Sequence, residues 1–277
     1  MRTQATPMVT LRSWIPPALI GLARKLPGRA SRYEGPFDSW GIAAQRSAGY
    51  AANGILEQVR RSTEWALGAP DRYEQDSVRF TGPCPPSHAL AAVLLGLARA
   101  DSNAVVLDIG GALGSHYLRW RPWMRAAGLA HWRIVEQDHF VAAGEALFEG
   151  RSEPLTFHRT LQDLPAEIPA AILLSSVLQY IPAERDPLEA ICRLGAQVIV
   201  IDRTPFSESS DEQVLVQHIP PRIYQASYPL RVISHARVNA LLAPAYTLLH
   251  SFDTGDGTIS LRGVSATYRG QVWVRSR

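Results

Sequence analysis

The residues best suited to chemistry lie in one short stretch, residues 104–117, which reads AVVLDIGGALGSHY. An apolar, β-branched run ends on Asp108, and Gly110, Gly111 and Gly114 follow closely. This order is typical of a buried parallel strand, a tight glycine turn and a helix whose N-terminal amides face a ligand. The turn is therefore predicted to be a ligand-binding site.

The spacing of the glycines argues against two common nucleotide-binding loops. A phosphate-binding P-loop needs a glycine, four residues and then Gly-Lys-Ser/Thr, but the positions five beyond Gly110 and Gly111 hold Ser115 and His116. A dinucleotide-binding loop needs the pattern G-x-G-x-x-G. Counted from Gly110, Ala112 and Ser115 replace its second and third glycines, so the first interpretation fails and the second is weak.

The remaining pattern is an acid two positions before a glycine, with another glycine four positions later. It resembles motif I of the class I S-adenosylmethionine-dependent methyltransferases, in which the glycine turn passes close to the amino-acid part of the cofactor. Ala112 stands where that motif usually has its middle glycine. The resemblance implies S-adenosyl-L-methionine as the cofactor. Its expected contacts in this stretch are Asp108, Gly110, Gly111, Gly114 and Tyr117.

Further cofactor contacts are expected where other predicted strands end, because the carboxyl ends of the strands in a doubly wound sheet line the ligand crevice. Glu136 ends the strand HWRIVE and is predicted to accept the ribose hydroxyls. The alternative for Glu136 is a solvated acid at the end of a strand. The other expected contacts are Gln137 beside it, Thr160 near the adenine, and Ser175 and Ser176 near the methyl group.

The acceptor is expected to bind at the same edge of the sheet, after the fourth and fifth strands. A general base is needed only if the acceptor is a hydroxyl or a protonated amine. The candidates for catalysis are His218, Tyr180 and Asp202, and those for acceptor binding are Arg203, Tyr224 and Tyr228. A structural or surface role is the alternative for His218. No clustering of acids and histidines suggests a metal, so metal-independent chemistry is expected.

Composition and charge place further bounds on function. The chain has 277 residues, of which 46% are hydrophobic, enough for a sizeable core. Its two cysteines, Cys84 and Cys192, lie far apart and suggest neither a disulfide framework nor a zinc site, so a reducing cytoplasm is expected. The formal charge is +3, but six basic residues precede the first acid, Glu34. The excess of positive charge is confined to this N-terminal tail, which argues against a nucleic-acid partner.

Residues 1–32 are predicted to form a basic, amphipathic N-terminal arm. The apolar run within it spans only residues 14–22 and contains Pro16 and Pro17, too short to cross a bilayer, which takes about 20 apolar residues. Two interpretations stay open: an arm that packs on the domain or a second subunit, or a segment lying on an anionic membrane surface. Liposome flotation with and without residues 1–30 separates them.

The rest of the chain is predicted as a helical cap, residues 33–100, followed by the cofactor-binding domain, residues 101–277. In the cap, Tyr50, Tyr73, Asp76 and Ser77 are possible lid residues. The domain is predicted to be α/β, with a Rossmann-like doubly wound sheet of about seven strands. Residues 207–212 are interpreted as a polar loop, residues 218–229 as a proline- and aromatic-rich segment, and residues 253–270 as a long connection between terminal strands.

A wider resemblance joins these segments. VLDIGGALGSHY, IVEQDHF, LLSSVLQYIP, VIVIDRTPF and HIPPRIYQASYP together resemble a methyltransferase family whose genes often neighbour those for surface polysaccharide assembly. The resemblance runs from about Tyr33 to the end and implies a class I methyltransferase domain. It makes O-methylation of a sugar hydroxyl on a glycan or glycolipid intermediate the leading hypothesis. The alternatives are N- or O-methylation of another small metabolite, or a cofactor-binding partner subunit without activity.

Overall fold

A computed structural model describes residues 32–47, 53–100, 103–218 and 227–276. Residues 33–277 form one compact unit. The predicted arm, apart from Arg32, lies outside the described residues, as does Tyr50 of the predicted lid. Within the described part of the chain, no helix is both long and apolar enough to cross a membrane.

The main feature is a mixed sheet whose centre is parallel. The strands, in chain order, are β1 (Tyr33–Phe37), β2 (Arg72–Gln75), β3 (Val78–Thr81), β4 (Val105–Ile109), β5 (His131–Val135), β6 (Leu155–His158), β7 (Ala171–Ser175), β8 (Val198–Ser207), β9 (Gln213–His218), β10 (Ser227–Ser234), β11 (Tyr246–Leu261) and β12 (Val264–Arg275). Strands β6, β5, β4, β7 and β8 lie side by side in that order, all parallel. Every residue of β4 and β7 is buried, as expected of strands covered on both faces.

The sheet continues beyond β8 in two directions. Strand β12 pairs antiparallel with β8 and β11 pairs with β12, which completes the seven-strand order β6-β5-β4-β7-β8-β12-β11. The far end of β8 also pairs with β10 at Phe206 and Ser207, and β9 and β1 follow. The predicted Rossmann-like sheet is confirmed, with three strands more than the seven expected.

Two segments predicted as connections are β-hairpins instead. Residues 213–234 contain β9 and β10, and residues 246–275 form the long hairpin of β11 and β12, which turns at Arg262 and Gly263. The sequence of β11 misled because glycine and aspartate are normally depleted in strands. In β11 these residues occupy a register irregularity between Asp253 and Thr258, where Gly255 and Gly257 have positive φ.

The described residues contain seven α-helices. They are α1 (Trp40–Gln45), α2 (Asn53–Leu67), α3 (His88–Arg99), α4 (Ser115–Ala126), α5 (Asp138–Phe148), α6 (Leu188–Arg193) and α7 (His235–Leu242). Ser39 and Ser234 are N-caps, with side chains that accept backbone N–H bonds. Pro122 does not break α4, because the helix continues through it to Ala126.

The parallel sheet separates two apolar cores. Along β4, Val106 belongs to the core packed under α3 and α4, whereas Leu107 and Ile109 belong to the core under α6 and α7. This alternation follows from the two-residue period of a strand. The carboxyl ends of β4, β5, β7 and β8 are thereby held in one row at a rigid edge.

Candidate functional site

The glycines of the turn have no room for a side chain. Gly110 and Gly114 have φ values of 69° and 88°, in the left-handed region. A β-carbon on Gly110 would lie 2.4 Å from Cγ2 of Val177, closer than atoms can approach. The Gly110 N–H donates to the carbonyl of Val135 on the neighbouring strand at 2.9 Å. The turn is therefore fixed against both β5 and the segment after β7.

Ala112, which replaces the usual middle glycine, adopts a glycine-like conformation. Its φ is 49°, and non-glycine residues held in this region cost about 1–3 kcal/mol unless their surroundings fix them. The backbone of Ala112 hydrogen-bonds to the carboxyl group of Glu136. The irregular position of the motif thus contacts the second predicted cofactor residue.

One carboxylate oxygen of Asp108 is hydrogen-bonded, whereas the other has no partner among the described residues. Its Oδ2 accepts a hydrogen bond from the indole Nε1 of Trp132 at 3.3 Å and lies 3.3 Å from Nδ1 of His116. Its Oδ1 is buried and has no hydrogen-bond partner among the described residues. Because buried acceptors are normally satisfied, this oxygen points to a donor supplied by a ligand.

Glu136 follows β5, the strand next to β4, and is half-buried. Burial raises the pKa of its carboxyl group to about 7, against the hydrogen bonds from the backbones of Gln137 and Ala112; the charge of Asp108 adds to the rise. The Gln137 N–H donates to Glu136 Oε2 at 2.7 Å. Two acidic side chains therefore flank the glycine turn from adjacent strand ends.

Three of the remaining predicted cofactor residues differ in their surroundings. Gln137 is exposed at the start of α5, and Thr160 is exposed after β6, where its N–H donates to Asp163 at 2.9 Å. Tyr117 is fully buried, and its hydroxyl donates to Glu153. Tyr117 lies three positions into α4, so its side chain is directed into the core, where it packs near Trp132, rather than over the turn.

The end of β7 and the middle of β8 form a connected polar group. Ser175 Oγ donates to Asp202 Oδ2 at 3.1 Å, and the Ser176 N–H donates to the Asp202 carbonyl at 2.9 Å. Burial raises the pKa of Asp202, although Arg203, His116 and the Ser175 hydroxyl oppose the rise. The structure therefore brings together three residues predicted from two different strands.

Gln179, which was not among the predicted site residues, organises this group. It is fully buried, and its Nε2 donates to Ser176 Oγ at 3.1 Å and to the Arg203 carbonyl at 3.2 Å. Ser176 and Arg203 have φ values of 56° and 51°, so both are held in the left-handed region. One amide thus fixes two strained backbone positions at the ends of neighbouring strands.

Arg203 is held by two carboxylates. Its guanidinium lies 2.8 Å from Asp76, in the turn between β2 and β3, and 3.2 Å from Asp256 on β11. These charges raise its pKa, against burial, which lowers it. Arg203 therefore joins the predicted lid to the acceptor edge of the sheet.

His116, in the first turn of α4, is a second residue that sequence reasoning passed over. Besides its contact with Asp108, it opposes the burial that raises the pKa of Glu74 and Asp202, and it helps to lower the pKa of Asp76. The imidazole is therefore close to the glycine turn, the β2–β3 hairpin and β8. The available signal was its position two residues after Gly114, where a helix start faces the ligand.

Two of the other predicted acceptor-side residues, His218 and Tyr180, have hydrogen-bond partners on β1 and β9. His218 is exposed on β9 and lies 3.4 Å from Glu34 of β1. Its neighbour Gln217 accepts a hydrogen bond from the Tyr180 hydroxyl at 2.6 Å, and consecutive strand residues face opposite sides. The structure thus pairs His218 with Glu34, away from Tyr180, instead of giving it a contact with Asp202.

The remaining two tyrosines were predicted to bind the acceptor. Tyr228 is buried edge-on against the Tyr180 ring, with centroids 5.1 Å apart. Tyr224 lies outside the described residues. In the parts of the chain that the structure covers, no group of three or more His, Cys, Asp or Glu side chains is arranged to hold a metal ion.

Comparison with known proteins gives likenesses of structure alone. The chain matches no protein-family model and no curated protein sequence. An amino pentose methyltransferase from Micromonospora echinaspora, CalS10, solved with S-adenosylmethionine, is 15% identical, with 67% of this chain and 89% of that chain covered and a TM-score of 0.44. The N-terminal domain of EvdMO1, solved with S-adenosylhomocysteine and D-fucose, is 16% identical, with 83% and 100% covered and a TM-score of 0.48.

A third solved structure, the CcbJ methyltransferase from Streptomyces caelestis, is 12% identical, with 74% of this chain and 94% of that chain covered and a TM-score of 0.45. Each is a protein to which this chain is similar in structure. The fold assignment rests on the strand order, with its antiparallel β12 between β8 and β11.

Proposed function

We propose that this chain is an S-adenosylmethionine-dependent methyltransferase. One observation carries the proposal: Asp108, next to the last residue of β4, and Glu136, directly after β5, lie on adjacent parallel strands beside a turn whose glycines have no room for a β-carbon. The unpartnered Asp108 oxygen and the close-approach glycines fit the amino-acid end of the cofactor. Glu136 fits its ribose, because a carboxylate can accept hydrogen bonds from both hydroxyls.

The chain's own residues would hold the cofactor in a fixed order. Glu136 would orient the ribose, the backbone of residues 110–114 would face the amino-acid part, and Thr160 would lie towards the adenine. When bound, the cofactor supplies an electrophilic methyl group on a sulfonium. The protein must then place a nucleophile about 3–3.5 Å from the methyl carbon and exclude water.

The acceptor proposed is a sugar hydroxyl on a glycan or glycolipid intermediate. The resemblance to a family encoded near polysaccharide genes supports this class. The row of Ser175, Ser176 and Asp202 is consistent with it, because such groups suit the recognition of hydroxyls. Asp202 is the candidate proton acceptor, since its pKa is raised by burial and its carboxylate is held by Ser175.

The proposal is tested first by calorimetric titration with S-adenosylhomocysteine. Binding by the wild type, and its loss in Asp108→Ala and Glu136→Ala variants that still fold, would support the assignment. Binding that survives in both variants would contradict it. With binding established, release of S-adenosylhomocysteine from S-adenosylmethionine is measured against a panel of methyl glycosides and small amines, which separates sugar O-methylation from other acceptors.

A further inference from the structure

The β2–β3 hairpin lies apart from the large sheet yet is attached to its ligand-facing edge. It pairs only with itself. Its two-residue loop, Asp76 and Ser77, has φ values of 52° and 63°, a tight turn of the kind that matches the twist of a hairpin. The tip is therefore a rigid element.

Three consecutive hairpin residues contact three points along the edge. Glu74 accepts a hydrogen bond from Ser115, the first residue of α4, and Gln75 accepts one from Arg119 Nη1 at 2.6 Å, one turn further along. Asp76 accepts two from Arg203, at 2.8 and 3.1 Å. The hairpin thus spans from the helix directly after the glycine turn to the end of β8.

The hairpin also lies close to His116, which opposes the burial that raises the pKa of Glu74 on the hairpin and of Asp202 on β8, and helps to lower the pKa of Asp76 on the hairpin. Asp108 Oδ2 lies 3.3 Å from Nδ1 of the same imidazole. Because Glu74 is bonded to Ser115, directly after Gly114, a ligand along the glycine turn would lie close to the hairpin.

The last contact, between Asp76 and Arg203, is the one most readily opened. The Asp76 side chain is 56% exposed, whereas the Arg203 side chain is 22% exposed and that of Asp256 29%. Asp256 holds the same guanidinium through Nε at 3.2 Å and Nη2 at 3.3 Å. If Asp76 moves into solvent, Arg203 keeps a carboxylate partner, so opening does not leave a buried charge unpaired.

We propose that the ion pair between Asp76 and Arg203 is a latch that holds the β2–β3 hairpin over the cofactor cleft and limits the rate at which the cofactor binds and leaves. The latch rests on the proposed function. Asp256 stays bonded to Arg203 when the latch is open. The hairpin then moves with α2, to which Ser77 and Arg79 are bonded through Ser62 Oγ and the Arg61 carbonyl.

Two matched variants of the full chain test the latch. Asp76→Asn and Asp256→Asn each convert a carboxylate of the same arginine to an amide. Asn tolerates left-handed backbone well, so Asp76→Asn retains the turn, and thermal unfolding checks that both variants fold. Stopped-flow tryptophan fluorescence measures S-adenosylhomocysteine binding, since Trp132 is bonded to Asp108. Hydrogen–deuterium exchange of residues 72–81 measures hairpin opening.

In Asp76→Asn, we expect the association and dissociation rates both to rise about fivefold, with Kd nearly unchanged and faster exchange in the hairpin. In Asp256→Asn, we expect rates no faster than wild type, because opening would leave the Arg203 guanidinium without a carboxylate partner. Unchanged rates and exchange in Asp76→Asn, or equal acceleration in both variants, would overturn the latch. If the wild type binds no S-adenosylhomocysteine, the proposed function fails, and hairpin exchange still shows separately whether the pair restrains the hairpin.

Discussion

Gly111 lies directly against the carboxyl group of Asp108: a β-carbon on Gly111 would be 2.6 Å from both Cγ and Oδ2 of that side chain. The glycine turn and the acid that precedes it are therefore packed as one unit. The absence of a side chain at Gly111 allows Asp108 to keep its bond with Trp132.

The first prediction concerns this packing. In Gly111→Ala, the added methyl group must displace the Asp108 carboxyl or the turn, and overpacking of this kind costs about 1–3 kcal/mol. We expect reduced stability in urea unfolding and loss of the thermal shift caused by S-adenosylhomocysteine. Gly41→Ala in α1, where the nearest atom would be 3.9 Å away, is the control and is expected neither to lose stability nor to change the thermal shift, because alanine is favoured over glycine in a helix. A full thermal shift in Gly111→Ala would contradict the assignment of the turn.

The second prediction is a pH dependence of stability from Glu136. Its folded-state pKa of about 7 lies above its ordinary 4.5, so the folded protein holds this proton more firmly than the unfolded chain does. The contribution to stability is complete below about 4.5 and is lost as pH rises through 7. We expect Glu136→Gln, which cannot ionise, to gain stability relative to wild type between pH 5 and 8. If the difference in unfolding free energy between Glu136→Gln and wild type stayed constant over that range, the prediction would be wrong.

The third prediction is that cofactor binding becomes stronger as pH rises, whereas the contribution of Glu136 to stability is lost. Ribose hydroxyls donate to an ionised Glu136, so the affinity for S-adenosylhomocysteine should fall below pH 7, by up to about tenfold per pH unit. Calorimetry from pH 5.5 to 8.5 measures this. In Glu136→Gln the affinity should be lower and nearly flat with pH. If the affinity changed with pH by the same slope in wild type and Glu136→Gln, Glu136 would not be a ribose contact.

The fourth prediction concerns a buried ion-pair network distant from the glycine turn. Arg231 is almost fully buried and lies 2.5 Å from Asp186 and 3.0 Å from Glu212, and Arg237 contacts both acids. Removing one partner of a buried pair costs about 3–5 kcal/mol. Because Arg237 remains, we expect Arg231→Met to lose stability near the lower end of that range in urea unfolding.

The matched control for this network is Arg193→Met. Arg193 forms an exposed pair with Glu189 within α6, and such pairs contribute about 1 kcal/mol or less. A loss in Arg231→Met no greater than in Arg193→Met would show that the buried network adds nothing to stability.

The fifth prediction tests Gln179 as a positioning residue. Gln179→Met removes the bonds to Ser176 and the Arg203 carbonyl and leaves those groups unsatisfied, which costs about 1–3 kcal/mol. We expect lower stability, with S-adenosylhomocysteine binding weakened less than in Asp108→Ala. Gln213→Met, at the half-buried start of β9, is the control. Equal stability of the two variants would show that the amide does not hold the strained residues.

The sequence predicted the parts of the fold that depend on local pattern. Apolar runs located β4 to β8, and serine caps located the starts of α1 and α7, because both signals act over a few residues. Asp108 and Glu136 were predicted at strand ends, and the parallel pairing of β4 with β5 brings them to one edge. Their assignment as cofactor contacts stays a prediction.

Other features depend on contacts between distant parts of the chain. Arg203 pairs with Asp76 and Asp256, which are 127 and 53 residues away, and no local pattern encodes such partners. β9 and β10 were missed, as was the inner part of the β11–β12 hairpin, where the glycines and aspartates of residues 253–257 resemble loop sequence. His218 was selected for its residue type alone, whereas the pairing of β9 with β1 places it beside Glu34.

The most direct test of the central claim is a crystal structure of the chain with S-adenosylhomocysteine bound. We expect the ribose hydroxyls within hydrogen-bond distance of Glu136 and the amino-acid part along Gly110 to Gly114, near Asp108 and His116. Ligand density elsewhere on the molecule, or a glycine turn left empty at saturating ligand, would contradict the account.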